Sequence, residues 1–207
     1  MKAVLIANPK GGSGKTTLST NIAGYLASRG QRVALLDMDR QKSATLWLAQ
    51  RGNTLPAIRT LDDDGGKHTE KLDWLVIDSP AALHGKNLEH ALKLVHRVIV
   101  PIAPSLYDIQ ASHDFLKSLN EMKAARKGRV LIGVAGMRMA PRTRAAATLE
   151  DFLQRLDLPV LAYLREAQVY VNAAFEGKSI FDLPAYQAAH DVEQWAGLLG
   201  WLEAEDS

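Results

Sequence analysis

Cysteine is absent from this 207-residue chain, which excludes disulfide bridges, thiolate metal sites and cysteine-ligated iron–sulfur clusters. No apolar run approaches the roughly 18 residues that a membrane-crossing helix needs, and no basic-then-apolar leader opens the sequence. A cytoplasmic protein is therefore expected. An excess of one charge is lacking too. Lys and Arg number 25 against 23 Asp and Glu, a formal +2, so any contact with nucleic acid has to come from a local concentration of basic residues. There is no internal repeat, low-complexity tract or linker, and the six histidines (68, 84, 90, 96, 113, 190) show no metal-ligand spacing. What is present is 47% hydrophobic content, in a length that suits one sizeable α/β domain over residues 1–207 and is short for two.

Apolar runs alternate with stretches of helical period. Strands are expected over 3–6, 32–37, 72–78, 97–102, 130–135 and 159–164. Helices are expected over 15–29 (closed by Gly30), 43–51, 87–94, 107–126, 141–156, 168–175 and 185–202, with Phe115, Leu116, Leu119 and Met122 facing inward on the long one. Residues 61–66 read as a turn-rich surface loop. Strands that are apolar throughout and alternate with helices imply a mostly parallel sheet covered on both faces, with ligand at the carboxyl ends of the strands.

The richest stretch is Ala7-Asn-Pro-Lys-Gly-Gly-Ser-Gly-Lys-Thr-Thr17, between the first strand and first helix. It is a compressed form of G-x-x-x-x-G-K-[ST], with Pro9 where the usual pattern has its first glycine. Gly11, Gly12 and Gly14 can turn successive N–H groups inward, around Ser13, to cradle phosphate oxygens, and the start of the helix at Lys15 adds the positive end of its dipole. Lys15 then reaches the β- and γ-phosphates, and the Thr16 hydroxyl, followed by Thr17, can ligate Mg²⁺. Two further strands end in acid: Asp37-Met-Asp39-Arg-Gln41 and Trp74-Leu-Val-Ile-Asp78-Ser-Pro80. Carboxylates at that edge can hold a Mg²⁺-bound water and orient an attacking water. A second lysine, Lys10, precedes the glycines. A phosphate loop has no need of it for its own nucleotide, since Lys15 already serves.

Lys-Gly-Gly-x-Gly-Lys-Thr-Thr resembles the deviant Walker A motif of the ParA/MinD superfamily of P-loop NTPases. The resemblance implies that Lys10 crosses a dimer interface to the partner subunit's ATP. Asp37-Met-Asp39-Arg-Gln41 resembles the family's Asp-x-Asp-Pro-Gln, with Arg40 in place of proline; it implies a water-positioning role for Asp39, with Asp37 in support of it and of the metal. Asp78-Ser-Pro-Ala is similar to Asp-x-Pro-Pro and implies that Asp78 holds Mg²⁺ through water. By the same likeness Pro104 lies in the nucleotide-binding segment after the fourth strand, Met137 and Arg138 line the adenine pocket, and 165–180 is the family's closing block. The lack of cysteine sets the chain apart from cluster-carrying relatives such as the nitrogenase iron protein. No DNA-binding segment precedes the phosphate loop, as in the small ParA type of some plasmids.

Between Lys117 and Arg144 the chain carries Lys117, Lys123, Arg126, Lys127, Arg129, Arg138, Arg142 and Arg144 against Glu121. Such a run is a local positive field that suits DNA backbone without reading sequence, and Arg165 and Lys178 are candidate additions. The resemblance implies an ATP-dependent homodimer that binds DNA nonspecifically, is associated with the nucleoid, and hydrolyses ATP under the influence of a ParB-like or adaptor protein. Two rivals are membrane-based positioning of the MinD kind and a metabolic ATP-dependent enzyme. The apolar stripe Val192, Trp195, Leu199 and Leu202 is followed by Glu203, Glu205 and Asp206, which an anionic membrane repels, so the stripe is expected to pack on the domain. Lys10 speaks against the metabolic enzyme.

Overall fold

The computed structural model describes residues 1–61 and 71–205. Among them β1 (Lys2–Ile6), β2 (Val33–Asp37), β3 (Ile58–Leu61), β4 (Trp74–Asp78), β5 (Arg97–Ile102), β6 (Leu131–Met139) and β7 (Val160–Arg165) form one sheet. Its order is β3-β2-β4-β1-β5-β6-β7 and each neighbouring pair is parallel. The helices are α1 (Lys15–Ser28), α2 (Ser43–Gln50), α3 (Gly85–Leu92), α4 (Leu106–Glu121), α5 (Lys123–Arg126), α6 (Arg144–Gln154), α7 (Gln168–Phe175), α8 (Ala185–Glu193) and α9 (Ala196–Glu203), with a 3-10 turn at Ile180–Asp182. The expected doubly covered sheet of a P-loop NTPase is what forms.

Alternation along a strand divides the core into two. Val4 and Ile6 face α1, Trp195 and α9, whereas Ala3 and Leu5 face α3, α4 and α6. Both sets are buried, which is why β1 reads as an unbroken apolar run. The register pairs Ile6 with Asp78 and Asp78 with Asp37, so the loop after β1 and both strand-end carboxylates share one edge of the sheet.

Four expectations differ. β3 went unread because it is an edge strand of four residues in which only Ile58 is buried, so it lacks an apolar run; Leu61 ends this strand, and the rest of the expected 61–66 loop lies outside the described residues. The helix expected over 107–126 breaks at Met122, which adopts extended angles (φ −70°, ψ 142°) with no glycine or proline to mark it. The strand expected over 130–135 runs on to Met139. The last helix is two, hinged at Gln194 and Trp195. There Trp195 is fully buried and its indole N–H donates to the Tyr170 hydroxyl at 2.9 Å. Leu199 and Leu202 of the apolar stripe are buried with it, and Val192 packs against the same core.

Candidate functional site

Three glycines shape the loop after β1. Gly12 and Gly14 have φ of +74° and +99°, angles that favour glycine, and Gly14 ends the loop as the N-cap of α1 with no side chain capping the helix. The first-turn N–H groups of α1 are thus left for an anion. Asn8, 1% exposed, pins the loop's start: its amide donates to the Pro101 carbonyl at 2.7 Å and the Ser112 hydroxyl at 2.9 Å, and its Oδ1 accepts from Lys10 N at 2.8 Å. Lys15 Nζ donates to the Lys10 carbonyl at 2.9 Å. Burial pulls the Lys15 ammonium below its ordinary pKa, against the attraction of Asp78 and Asp39. A cation held dry at the base of a glycine loop is ready for phosphate oxygens.

Asp78 lies beneath it, 0% exposed. Its oxygens accept from Thr16 Oγ1 at 2.7 Å and Ser19 Oγ at 3.0 Å. Burial pushes its carboxyl up to about 6, with the two hydroxyls and Lys15 opposing and the Asp37 charge adding to the rise. A hydroxyl and a carboxylate, both oxygen donors in contact, are the donor set a hard cation such as Mg²⁺ takes in small number beside substrate phosphates. Among the described residues no cluster of three or more His, Cys, Asp or Glu could cage a metal.

Asp37 and Asp39 are brought to the same edge but differ in employment. Asp37 is 3% exposed; its Oδ1 accepts from Asp39 N at 3.0 Å and its Oδ2 from Thr45 N at 2.9 Å and Thr45 Oγ1 at 3.3 Å. Both oxygens are thereby engaged in holding the turn that presents Asp39. Asp39 Oδ1 accepts from Gln41 N at 2.9 Å, while its second oxygen makes no hydrogen bond among the described residues, and the residue lines the cleft.

The cleft has a volume of about 820 Å³ and is lined by Gly11, Gly12, Gly14, Lys15, Thr16, Thr17 and Asp39 on one side and by Met137, Arg138, Arg165 and Tyr170 on the other. Ser13 is buried beneath the loop, where its hydroxyl donates to the Lys10 carbonyl at 3.2 Å. A bulge in β6 brings the far side in: Gly136 to Met139 run opposite only Tyr163 to Arg165 of β7. It turns Met137 onto Gly14, where a Cβ would meet the methionine Cε at 2.7 Å, and sets exposed Arg138 (φ +50°) over Gly12. Pro104 is half-buried and is not among the residues lining the cleft. Neither is Lys10, whose side chain makes no hydrogen bond or ion pair among the described residues. Sequence reasoning missed Asn8, Ser19, Thr45 and Tyr170. Ser19 carries a weak signal, one helical turn after Lys15 and Thr16 on the same face of α1; the others carry none.

The basic run is divided. α4 returns from the carboxyl edge to the amino edge, where α5 and the start of β6 lie, so Lys123, Arg126, Lys127 and Arg129 stand at the amino edge. β6 then crosses the sheet, so that Arg138, Arg142 and Arg144 stand at the carboxyl edge with the cleft. Arg165 is committed elsewhere: its guanidinium makes paired hydrogen bonds of 2.8 and 2.9 Å to Asp191, whose side chain is 3% exposed.

Residues 4–180 match the CobQ/CobB/MinD/ParA nucleotide binding domain. The chain is 31% identical over 202 residues to the maintenance of carboxysome distribution protein A of Halothiobacillus neapolitanus, covering 91% of this chain and 92% of that one. It is 30% identical to the chromosome-partitioning ATPase Soj of Thermus thermophilus over 74% of this chain and 76% of that one. Its fold is shared with a plasmid partition protein of Borrelia burgdorferi solved with AMPPNP (TM-score 0.75, 20% identity, 97% of this chain and 99% of that one).

Proposed function

The chain belongs to the CobQ/CobB/MinD/ParA nucleotide-binding family, and we propose that it is a cytoplasmic ATPase which closes into a homodimer around ATP, grips DNA at the nucleoid without reading sequence, and releases it on hydrolysis stimulated by a ParB-like or adaptor partner. Repeated cycles would position a cargo. Relatives named for chromosome partitioning and for carboxysome distribution both support a positioning role.

The chemistry follows from the cleft. Lys15 and the first-turn N–H groups of α1 bind the β- and γ-phosphates. Thr16 Oγ1 and, through water, Asp78 would hold Mg²⁺, which supplies charge neutralisation on the phosphate oxygens. Asp39, with one carboxylate oxygen fixed by the turn and the other without a hydrogen bond among the described residues, orients the attacking water. Met137 and Arg138 flank the base. Asp37 works through the turn it holds.

The observation that carries the dimer is the division of labour between the lysines. Lys15 occupies the cleft while Lys10 stands outside it with no side-chain partner among the described residues, which suits a cation meant for a neighbour's phosphates. Lys10→Ala should still bind ATP as a monomer, but light scattering with a non-hydrolysable analogue should show no dimer, and turnover should be lost. An unchanged ATP-dependent dimer refutes the role. For DNA, the carboxyl-edge residues Arg142 and Arg144 are the stronger candidates, because dimer closure across the cleft brings two copies of that edge together on one body. Membrane positioning is disfavoured because the apolar stripe of α8 and α9 is spent on the core.

A further inference from the structure

The basic residues left at the amino edge, Lys123, Arg126, Lys127 and Arg129, have no part in the cleft or its closure. The topology gives them company that the sequence does not show. The end of α3 lies beside α5, and between them is a groove of about 370 Å³. Its apolar part is Leu92, Val95 and Met122, and its charged part is Glu89, Lys93, Lys123 and Arg129. Lys123 and Arg129 are exposed and make no ion pair among the described residues, while Lys93 reaches only Glu89, at 3.7 Å on the same helix face. One leucine stands out of the surface beside the groove: Leu94, 49% exposed next to Lys93.

From this arrangement we propose that the groove between α3 and α5 is a docking site for a segment of another protein that presents acidic residues around one or two apolar side chains. Charge decides the sign of the ligand: the groove's own acid, Glu89, already meets Lys93, while Lys123, Arg126, Lys127 and Arg129 are all exposed against Glu121, and cations at that density attract carboxylates within about 10 Å. The apolar part decides its class. A phosphodiester backbone has nothing to place against Met122 and the largely covered Leu92 and Val95, and it would leave Leu94 facing hydrated phosphate. A peptide side chain such as Leu or Phe fills such a groove and is stabilised in proportion to the apolar area it buries. A lipid surface would need a longer amphipathic element than α5, which has four residues.

The site lies a full strand length from the cleft, roughly 17–20 Å for five or six residues. Its occupancy therefore leaves the nucleotide edge unobstructed, and the same segment should bind in every nucleotide state. That separates this proposal from the ATP-dependent reading above, which it does not require.

The test is selection of a random twelve-residue peptide library on the intact protein, followed by fluorescence anisotropy of the enriched peptides. Enriched sequences should combine Asp or Glu with a Leu, Ile or Phe anchor. They should bind equally without nucleotide, with ADP and with a non-hydrolysable ATP analogue. The Lys123→Glu/Arg129→Glu variant changes exposed residues only, so folding should survive, and binding should weaken about tenfold or more. A 30-base-pair duplex or phosphatidylglycerol vesicles should not displace the peptide. Three results overturn the proposal: no acidic–apolar consensus, enriched peptides that bind the double variant as well as wild type, or displacement by duplex or vesicles at a matching concentration of charge. Displacement by duplex would return this edge to DNA.

Discussion

Replacing Asp78 by asparagine should make the nucleotide-free protein more stable at neutral pH while removing its function. The carboxyl sits at the carboxyl end of the interior strand β4 at 0% exposure, and burial raises it from 3.8 to about 6. A group whose folded value is raised contributes stability that is complete below about pH 4 and is lost as pH climbs through about 6. At pH 7.5 the empty fold therefore carries an ionised buried carboxylate, and about two pH units at about 1.4 kcal/mol each make that about 3 kcal/mol. Asp78→Asn is neutral throughout. Its Oδ1 can accept from one of the two hydroxyls at Thr16 and Ser19, and its amide can donate to the other. Thermal melts without nucleotide should place the variant roughly 5–10 °C above wild type at pH 7.5, with the gap closing towards pH 4. Adding Mg²⁺ and ATP should then raise wild type by more than the variant. A variant less stable than wild type at pH 7.5, or a difference that does not change between pH 4 and 7.5, would refute the argument, because the cost would then not lie in the charge.

Gly14→Ala should lower both stability and ATP affinity, since the left-handed angle costs about 1–2 kcal/mol and the new methyl meets Met137 Cε at 2.7 Å; calorimetry showing wild-type affinity would sink the account of the loop. Asp39→Ala should bind ATP and accumulate as a dimer, because the phosphate contacts remain while the water is no longer oriented; full phosphate release would move that role elsewhere. Charge reversal at Arg142 and Arg144 should weaken ATP-dependent retention of unrelated DNA fragments in a mobility shift, most visibly at low salt, and reversal at Lys123 and Arg129 should not. The opposite ranking would place the DNA grip on the amino edge.

The nucleotide half of the molecule was legible because its parts are contiguous or strand-terminal. A glycine loop, a lysine and a threonine lie within a few residues, and an acid closing an apolar run falls at the carboxyl edge of any parallel sheet, as Asp37 and Asp78 do. What was illegible depends on partners distant in sequence. Asp37 looks the same in sequence whether its oxygens face a metal or, as here, the backbone of Asp39 and the N–H and hydroxyl of Thr45. Arg165 reads as a free basic residue until Asp191, on another helix, takes its guanidinium. The run from Lys123 to Arg144 shows the limit most clearly. Residues close in sequence suggest one patch, yet β6 takes nine residues to cross the sheet between them. At about 3.3 Å per residue, a strand of that length carries the chain across most of the domain's depth before Arg142 and Arg144 are reached. Conversely Lys93 and Lys123, thirty positions apart, border one groove. Charge clustering is a property of the surface, and in an alternating α/β chain each strand carries its flanking loops to opposite edges. A basic run that spans a strand is therefore two half-patches, each with the neighbours the topology supplies: the carboxyl edge that carries the cleft for Arg142 and Arg144, and the groove beside α3 for Lys123 and Arg129.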